Sequence, residues 1–322
     1  MKRKVFLVLA LFALMAVGVF AQTSWTAVDN PFGTSDINTI VIGKDKFVAG
    51  GDGGKMAYSS NGKNWTAVAD SKFGTAAITA IAYANNKYVA GGEKGKMATS
   101  PDGITWTAVA DSKFDTNDIN AIAISYGNRL FVAVGKKGKM ATSPDGVTWT
   151  AVADTTFGTT DINAIALCNN VTFINGGKKA AYSTDNLVPT KWTAVTDSSF
   201  ENLPITITAI AGSRGRFVVV GQGGKIGTAT VGRDAEGMDG SWKAVTSNPF
   251  GTNAIMTIAY FDMDRFIAGG INGKMATSLD GLTWTAIANS TFGSNTIFAI
   301  AKGKGRYVAV GESGRIAISE QD

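Results

Sequence analysis

Apolar residues along this chain alternate with small or polar ones in short runs, and the runs recur. Between Ile119 and Val152 the pattern predicts four strands: Ile119 to Ile124, Leu130 to Val134, Lys139 to Ser143 and Thr148 to Val152. Gly, Asn and Asp mark the turns between them. The positions facing away from the apolar ones are seldom charged, which is the pattern of strands covered on both faces. The same unit repeats along the chain. Its most visible marks are Trp25, Trp65, Trp106, Trp149, Trp192, Trp242 and Trp284, spaced 40, 41, 43, 43, 50 and 42 residues apart. A period of this length built from short strands predicts propeller blades, units that bury their faces only by stacking on neighbours.

The ends of the pattern predict how the ring closes. The first unit consists of an outermost strand alone, Ser24 to Val28, and the last stops after a third strand, Gly314 to Ile318. Together they make one blade, so the expected fold is an all-β, seven-bladed propeller of four-stranded antiparallel blades. In it the N-terminal strand joins the C-terminal three and hides two exposed edges. A single domain over residues 22–322 is expected.

Residues 1–21 stand outside the repeat. Lys2, Arg3 and Lys4 precede an apolar run from Val5 to Phe20, and Val19-Phe20-Ala21 suits signal peptidase. Cleavage after Ala21 is expected, placing the mature chain in the periplasm or outside the cell with no membrane insertion. The residue directly after that point is Gln22 and not a cysteine that could carry a lipid. Without the three leader cations, 27 basic side chains face 25 acidic ones. That near-balance removes the global electrostatic argument for nucleic acid.

The candidate chemistry is sparse. The chain has no histidine, which excludes Ser-His-Asp and Cys-His catalysis and His-based metal ligation. Cys168 is the lone cysteine and lies in an apolar strand, so it reads as a buried thiol. No cofactor is called for. Arg216, Arg265 and Arg306 recur at the start of the second strand, where Lys46 and Lys87 stand in other blades, and so read as structural.

Ser100-Pro-Asp102-Gly-Ile-Thr-Trp106, Ser143-Pro-Asp145-Gly-Val-Thr-Trp149, Ser278-Leu-Asp280-Gly-Leu-Thr-Trp284 and the looser Ser59-Ser-Asn-Gly-Lys-Asn-Trp65 resemble the Asp-box of bacterial neuraminidase repeats. The box is one residue shorter than the usual sialidase form, and versions near Asp185 and Asp239 are degraded. With the recurring Phe/Tyr-Val-Ala-Val/Gly-Gly phrase, the whole of residues 22–322 resembles propellers of the photosystem II assembly factor and sialidase type. A sialidase resemblance implies an arginine cluster, a tyrosine nucleophile and an acidic donor. The arginines do not sort that way, so no catalytic residue is assigned and the chain is expected not to be an enzyme. Physically, Asp102, Asp145 and Asp280 should cap turn amides, and the tryptophans should wedge between blades.

Propeller geometry puts two repeated features on one face. One is a Phe-Gly-Thr-like loop at Phe32, Phe73, Phe114, Phe157, Phe200, Phe250 and Phe292, expected to plug the gaps between blades. The other is a ring of cations, Lys55, Lys96, Lys139, Lys179, Lys225, Lys274 and Arg315. These are expected to pair with carboxylates such as Asp36, Asp118 and Asp161, or else to concentrate an anionic glycan or acidic protein segment. Departures from the repeat carry more functional information. The second position of the first strand is polar in five blades, at Asn38, Thr79, Asn120, Asn163 and Thr208, but becomes Met256 and Phe298 in the last two. Blade five replaces Phe-Gly-Thr with an entry at Glu201, and on the other face carries an insertion from Val231 to Gly240. Its Asp234, Glu236 and Asp239 match no calcium loop, and a solvated insertion is the simpler account. The expected function is a non-catalytic binding or assembly module with a protein partner. A glycan-binding propeller is the alternative, favoured by aromatic rings exposed beside Asp and Asn and disfavoured by tryptophans buried between blades.

Overall fold

The computed structural model describes residues 24–320 except 126–129, 154–155, 169–170, 178, 185–190, 196–205, 214, 232–241 and 262–264. It contains seven four-stranded antiparallel sheets, six of them with their strands in chain order from the centre outward. Blade one runs Ile37–Ile42, Phe47–Gly51, Met56–Ser59 and Thr66–Ala67; blade three runs Ile119–Ile124, Phe131–Gly135, Met140–Ser143 and Thr150–Ala151. Blade seven is the composite one. Thr26–Val28 pairs antiparallel with Ile316–Glu320, Ala27 opposite Ala317, so the ring closes as the ends of the pattern predict.

The outer strands are shorter than expected. In blade three only Thr150 and Ala151 pair with the third strand, whereas the pattern predicted a strand from Thr148. The cause is local: the amides of Val147 and Thr148 both donate to Asp145 Oδ1 at 2.8 Å, which folds that backbone into a turn before the ladder starts.

The core lies between blades rather than within them. One buried cluster joins Ala82, Val89 and Met97 of blade two to Ile119, Phe131 and Ala141 of blade three, with Phe114 and Trp149 sealing its two ends. An equivalent cluster across the closure joins Val308, Ile316 and Ile318 to Phe32, Ile37 and Phe47. Six of the seven repeat tryptophans are buried; Trp65 is partly exposed. Cys168 is buried as expected, and that burial pushes its thiol pKa up.

Between second and third strands of six blades the chain makes a single 3-10 turn, such as Lys136–Gly138, whose middle residue takes a left-handed conformation. Gly135, just before it, is extended at φ −171°, so its backbone conformation suits any residue. Glycine is required there by contact: a Cβ would stand 2.1 Å from the Asp118 carbonyl oxygen.

Candidate docking face

The Asp-box turns have the expected geometry. In blade three Ser143 Oγ donates to Asp145 Oδ1 at 2.9 Å and accepts the Gly146 amide at 2.8 Å, while Asp145 gathers the two amides already described. Gly146 sits at φ +73°, the left-handed region that favours glycine. Asp102 and Asp280 repeat the arrangement, and Asn61 accepts from Lys63 and Asn64 in blade one at 2.9 Å. The indole N–H groups of Trp65, Trp149 and Trp284 donate back to the glycine carbonyl of their own turn. The degraded boxes at Asp185 and Asp239 lie outside the described residues.

Partial burial opposes ionisation of Asp145, but the hydrogen bonds from Thr148, Val147 and Ser143 outweigh it and hold its pKa at about 2. A carboxylate whose pKa is depressed on folding stabilises the protein above its ordinary pKa and loses that contribution as pH falls through the folded value, here from about pH 4 to about pH 2. Because this carboxylate faces solvent, Asp145→Ala is expected to cost only about 1–2 kcal/mol at neutral pH. Asp145→Asn should cost less, since Asn61 already serves in blade one. Urea melts of both variants at pH 7 and pH 3 check this: the difference between wild type and Asp145→Ala should shrink at the lower pH.

On the opposite face the phenylalanine loops behave as plugs. Phe32, Phe73, Phe114, Phe157, Phe250 and Phe292 are fully buried, and Phe200 lies outside the described residues. The exposed aromatic ring is thus ruled out for those six. The cation ring is arranged differently from expectation. Lys55 and Lys96 donate to the carbonyls of Phe32 and Phe73 at 2.7 Å, Lys274 to Phe250 at 3.2 Å, Lys179 to Phe157 at 3.5 Å and Arg315 to Thr291 at 3.3 Å. Lys139 is the exception and meets Asp115 at 2.7 Å, because blade three has an aspartate where the loops at Phe32, Phe73, Phe157, Phe250 and Phe292 have glycine after the phenylalanine. Lys225 is exposed, and the loop it would reach lies outside the described residues.

Asp36, Asp118 and Asp161 therefore do not pair with the ring cations. Each carboxylate instead accepts a backbone amide from the 3-10 turn of the preceding blade: Ser313 for Asp36, Lys94 for Asp118 and Lys137 for Asp161, at 2.8–2.9 Å. Asp118 also pairs with Lys136 of its own blade. Asp36 thereby ties blade seven to blade one at the closure. Where the position holds Ala77 or Thr296, the bond is reversed within the blade, and Glu93 or Glu312 accepts that residue's amide.

The innermost strands carry a further girdle that the sequence only hinted at. Six of them have a β-bulge at their second position, which redirects that side chain. Asn38 donates to the Ile78 carbonyl of the next blade at 3.2 Å and Asn120 to that of Ile162 at 2.9 Å; Thr79 and Thr208 make the same bond to Ile119 and Ile255. Met256 and Phe298 occupy bulges of this girdle with no donor to offer. Both are half-buried and stand at equivalent positions on the innermost strands of two adjacent blades. Glu201 lies outside the described residues, as does the insertion at 232–241. Sequence reasoning missed two features of the outer rim: Ile104, Val147, Leu279 and Leu282 are exposed on Asp-box turns, and Trp65 is partly exposed.

The described residues include no group of three or more His, Cys, Asp or Glu side chains placed to hold a metal, and no helix among them is long and apolar enough to cross a membrane. The molecule is a seven-bladed β-propeller whose face features are mostly internal ties. Residues 70–214 match the model of the DUF6242 beta propeller domain, a span of three blades and the start of a fourth. Over 92% of its length the chain is similar to YCF48 from Cyanidioschyzon merolae, 16% identical with a TM-score of 0.70 and 98% of that chain covered. It is similarly close to YCF48 bound to D1 peptide, at 15% identity, a TM-score of 0.71, and 92% and 95% coverage of the two chains. The WD40 beta propeller domain of Doa1 matches at 10% identity and a TM-score of 0.68, over 93% of this chain and 98% of that one. No curated protein matches the sequence. At these identities the likeness is one of fold, and it agrees with the resemblance to assembly-factor propellers carried by the repeats.

Proposed function

We propose that this chain is an exported, non-catalytic docking module that holds a protein partner at the channel mouth bearing Met256 and Phe298. The observation that carries the reading is the broken girdle. Restoring Asn or Thr at these two positions would offer the donor that Asn38, Thr79, Asn120 and Thr208 use to bond the next blade, so packing alone does not call for Met and Phe there. Apolar side chains kept at the rim of a rigid channel suit insertion of a partner's apolar residue. The fold likeness to a propeller seen with a bound peptide supports the same reading, and the leader-like residues 1–21 support export.

The test is affinity capture with tagged residues 22–322 from the exported fraction of the source cells, comparing wild type with the double variant Met256→Thr, Phe298→Asn. Each substitution installs what other blades already hold, so the melting temperature should stay level or rise. A stoichiometric partner of the wild type should be lost from the variant by about tenfold or more. Equal recovery by both proteins would overturn the site.

A further inference from the structure

We propose that the cleft beside the closing strand, floored by Trp65, is a binding site for a neutral oligosaccharide. It is separate from the channel mouth, on the outer rim where blade seven meets blade one. The cleft has a volume of about 760 Å³ and runs along Thr26–Val28 to the Asp-box turn of blade one. That volume lies within the range of pockets that enclose small organic ligands.

Two departures from the repeat coincide here. The first is Trp65 itself. Trp25, Trp106, Trp149, Trp192, Trp242 and Trp284 are all 9% exposed or less, while Trp65 is only partly buried and opens onto the cleft. Its indole N–H donates to the Gly62 carbonyl at 2.9 Å, so the ring offers the cleft an apolar surface and not a donor. A sugar's C–H face stacks on such a surface, provided the ring is accessible. The second departure is the connector. From Val28 to Phe32 the chain is one residue shorter than the corresponding run at every other blade junction, such as Val68 to Phe73 or Val109 to Phe114. The shorter run, with Pro31 in it, lines the cleft from Val28 to Pro31.

The polar groups around the ring fit hydroxyls. Asn64 and Asp29 are exposed at the rim. Asn30 accepts the Phe32 amide at 2.7 Å through its side-chain oxygen, which leaves its amide nitrogen as the end available for donation. Lys63 and Glu320 form an ion pair of 2.9 Å across the cleft, and Arg306 holds the other oxygen of Glu320 at 3.3 Å. Planar amides and carboxylates of this kind accept from and donate to paired hydroxyls. Charge decides the class of sugar. Asp29 and Glu320 are balanced by Lys63 and by Arg306 behind the cleft, and both cations are already engaged with Glu320, which leaves the described lining no free cation for a sialic or uronic acid and favours an uncharged chain.

The experiment is binding of residues 22–322 to an array of neutral oligosaccharides, including short glucose and N-acetylglucosamine oligomers, with sialylated and uronic acid glycans alongside. Saturable binding to a neutral member is expected. Trp65→Leu, which keeps apolar bulk against the core but removes the platform, should weaken it by about tenfold or more. Asn64→Ala, at an exposed position that cannot unfold the blade, should weaken it several-fold. The channel-mouth variant Met256→Thr, Phe298→Asn should bind as wild type, so that failure of the docking reading and failure of this one are told apart. The proposal is overturned if no neutral oligosaccharide binds, if anionic glycans bind in preference, or if Trp65→Leu binds unchanged.

Discussion

Gly135→Ala is expected to lower the unfolding free energy by about 3 kcal/mol or more, because the added methyl has no place to go. Its Cβ would stand 2.1 Å from the Asp118 carbonyl oxygen and 2.9 Å from Phe114 Cε1. The side chain could turn aside; the backbone carbonyl could not, since Asp118 O also accepts the Lys136 amide at 2.9 Å. Relief therefore requires the start of the first strand to shift, which breaks the pairing of Ile119 with Gly135 and disturbs the bulge at Asn120. The same approach recurs at Gly51, Gly92, Gly176, Gly270 and Gly311, each within 2.2 Å of a carbonyl oxygen before the first strand of its blade. Gly158 provides the control. It has φ +58° but nothing within 4 Å of where a Cβ would stand, so Gly158→Ala should cost only about 1–2 kcal/mol, the left-handed penalty of an L-residue. Asp115 at φ 53° occupies the equivalent position in blade three and shows that the conformation is tolerated. Guanidinium melts of the two variants, followed by tryptophan fluorescence, should separate them; equal costs would mean that the crowding at Gly135 is relieved elsewhere.

How much of this was legible beforehand depended on whether a feature repeats within the chain or depends on distance between blades. The strand order, the composite blade and the buried phenylalanines were legible because the same phrase occurs seven times and each copy corrects the reading of the others. The Asp-box geometry was legible for a similar reason: Asp145, its glycine and Trp149 are neighbours in sequence, and the bonds among them are local. The roles of Asp36, Asp118 and Asp161 were not. Their partners are amides on another blade, 24 residues away for Asp118 and 277 for Asp36, and a backbone amide carries no mark in a sequence. The cations were misread for the same reason, since Lys55 and Lys96 reach carbonyls that any residue would supply. Met256 and Phe298 stood out as substitutions, but only the bulges and the bonds made by Asn38 and Asn120 show what the substitutions remove. Trp65 looked like its six counterparts, because its exposure depends on what the composite blade across the closure sets beside it, which no local phrase records.

Phe114→Ala should cost about 3–5 kcal/mol, the usual loss for truncating a fully buried phenylalanine that its neighbours cannot collapse upon. Collapse is hindered here by the ring architecture. Phe114 is 0% exposed and lies between strands of two different sheets, with Met97 and Val89 on one side and Ile119 and Phe131 on the other. Closing the cavity would require blades two and three to approach, and five other blades hold them apart. The position also separates two accounts of the repeated phenylalanines. A ring of exposed aromatics serving a ligand would lose binding on truncation with little change in stability; a plug loses stability first. Combining Phe114→Ala with Gly135→Ala tests the geometry further. Removing the phenylalanine clears the contact at Cε1 but leaves the Asp118 carbonyl in place, so the double variant should recover little of the glycine penalty. A double variant as stable as Phe114→Ala alone would show that the aromatic ring, and not the backbone carbonyl, is what excludes a side chain at position 135.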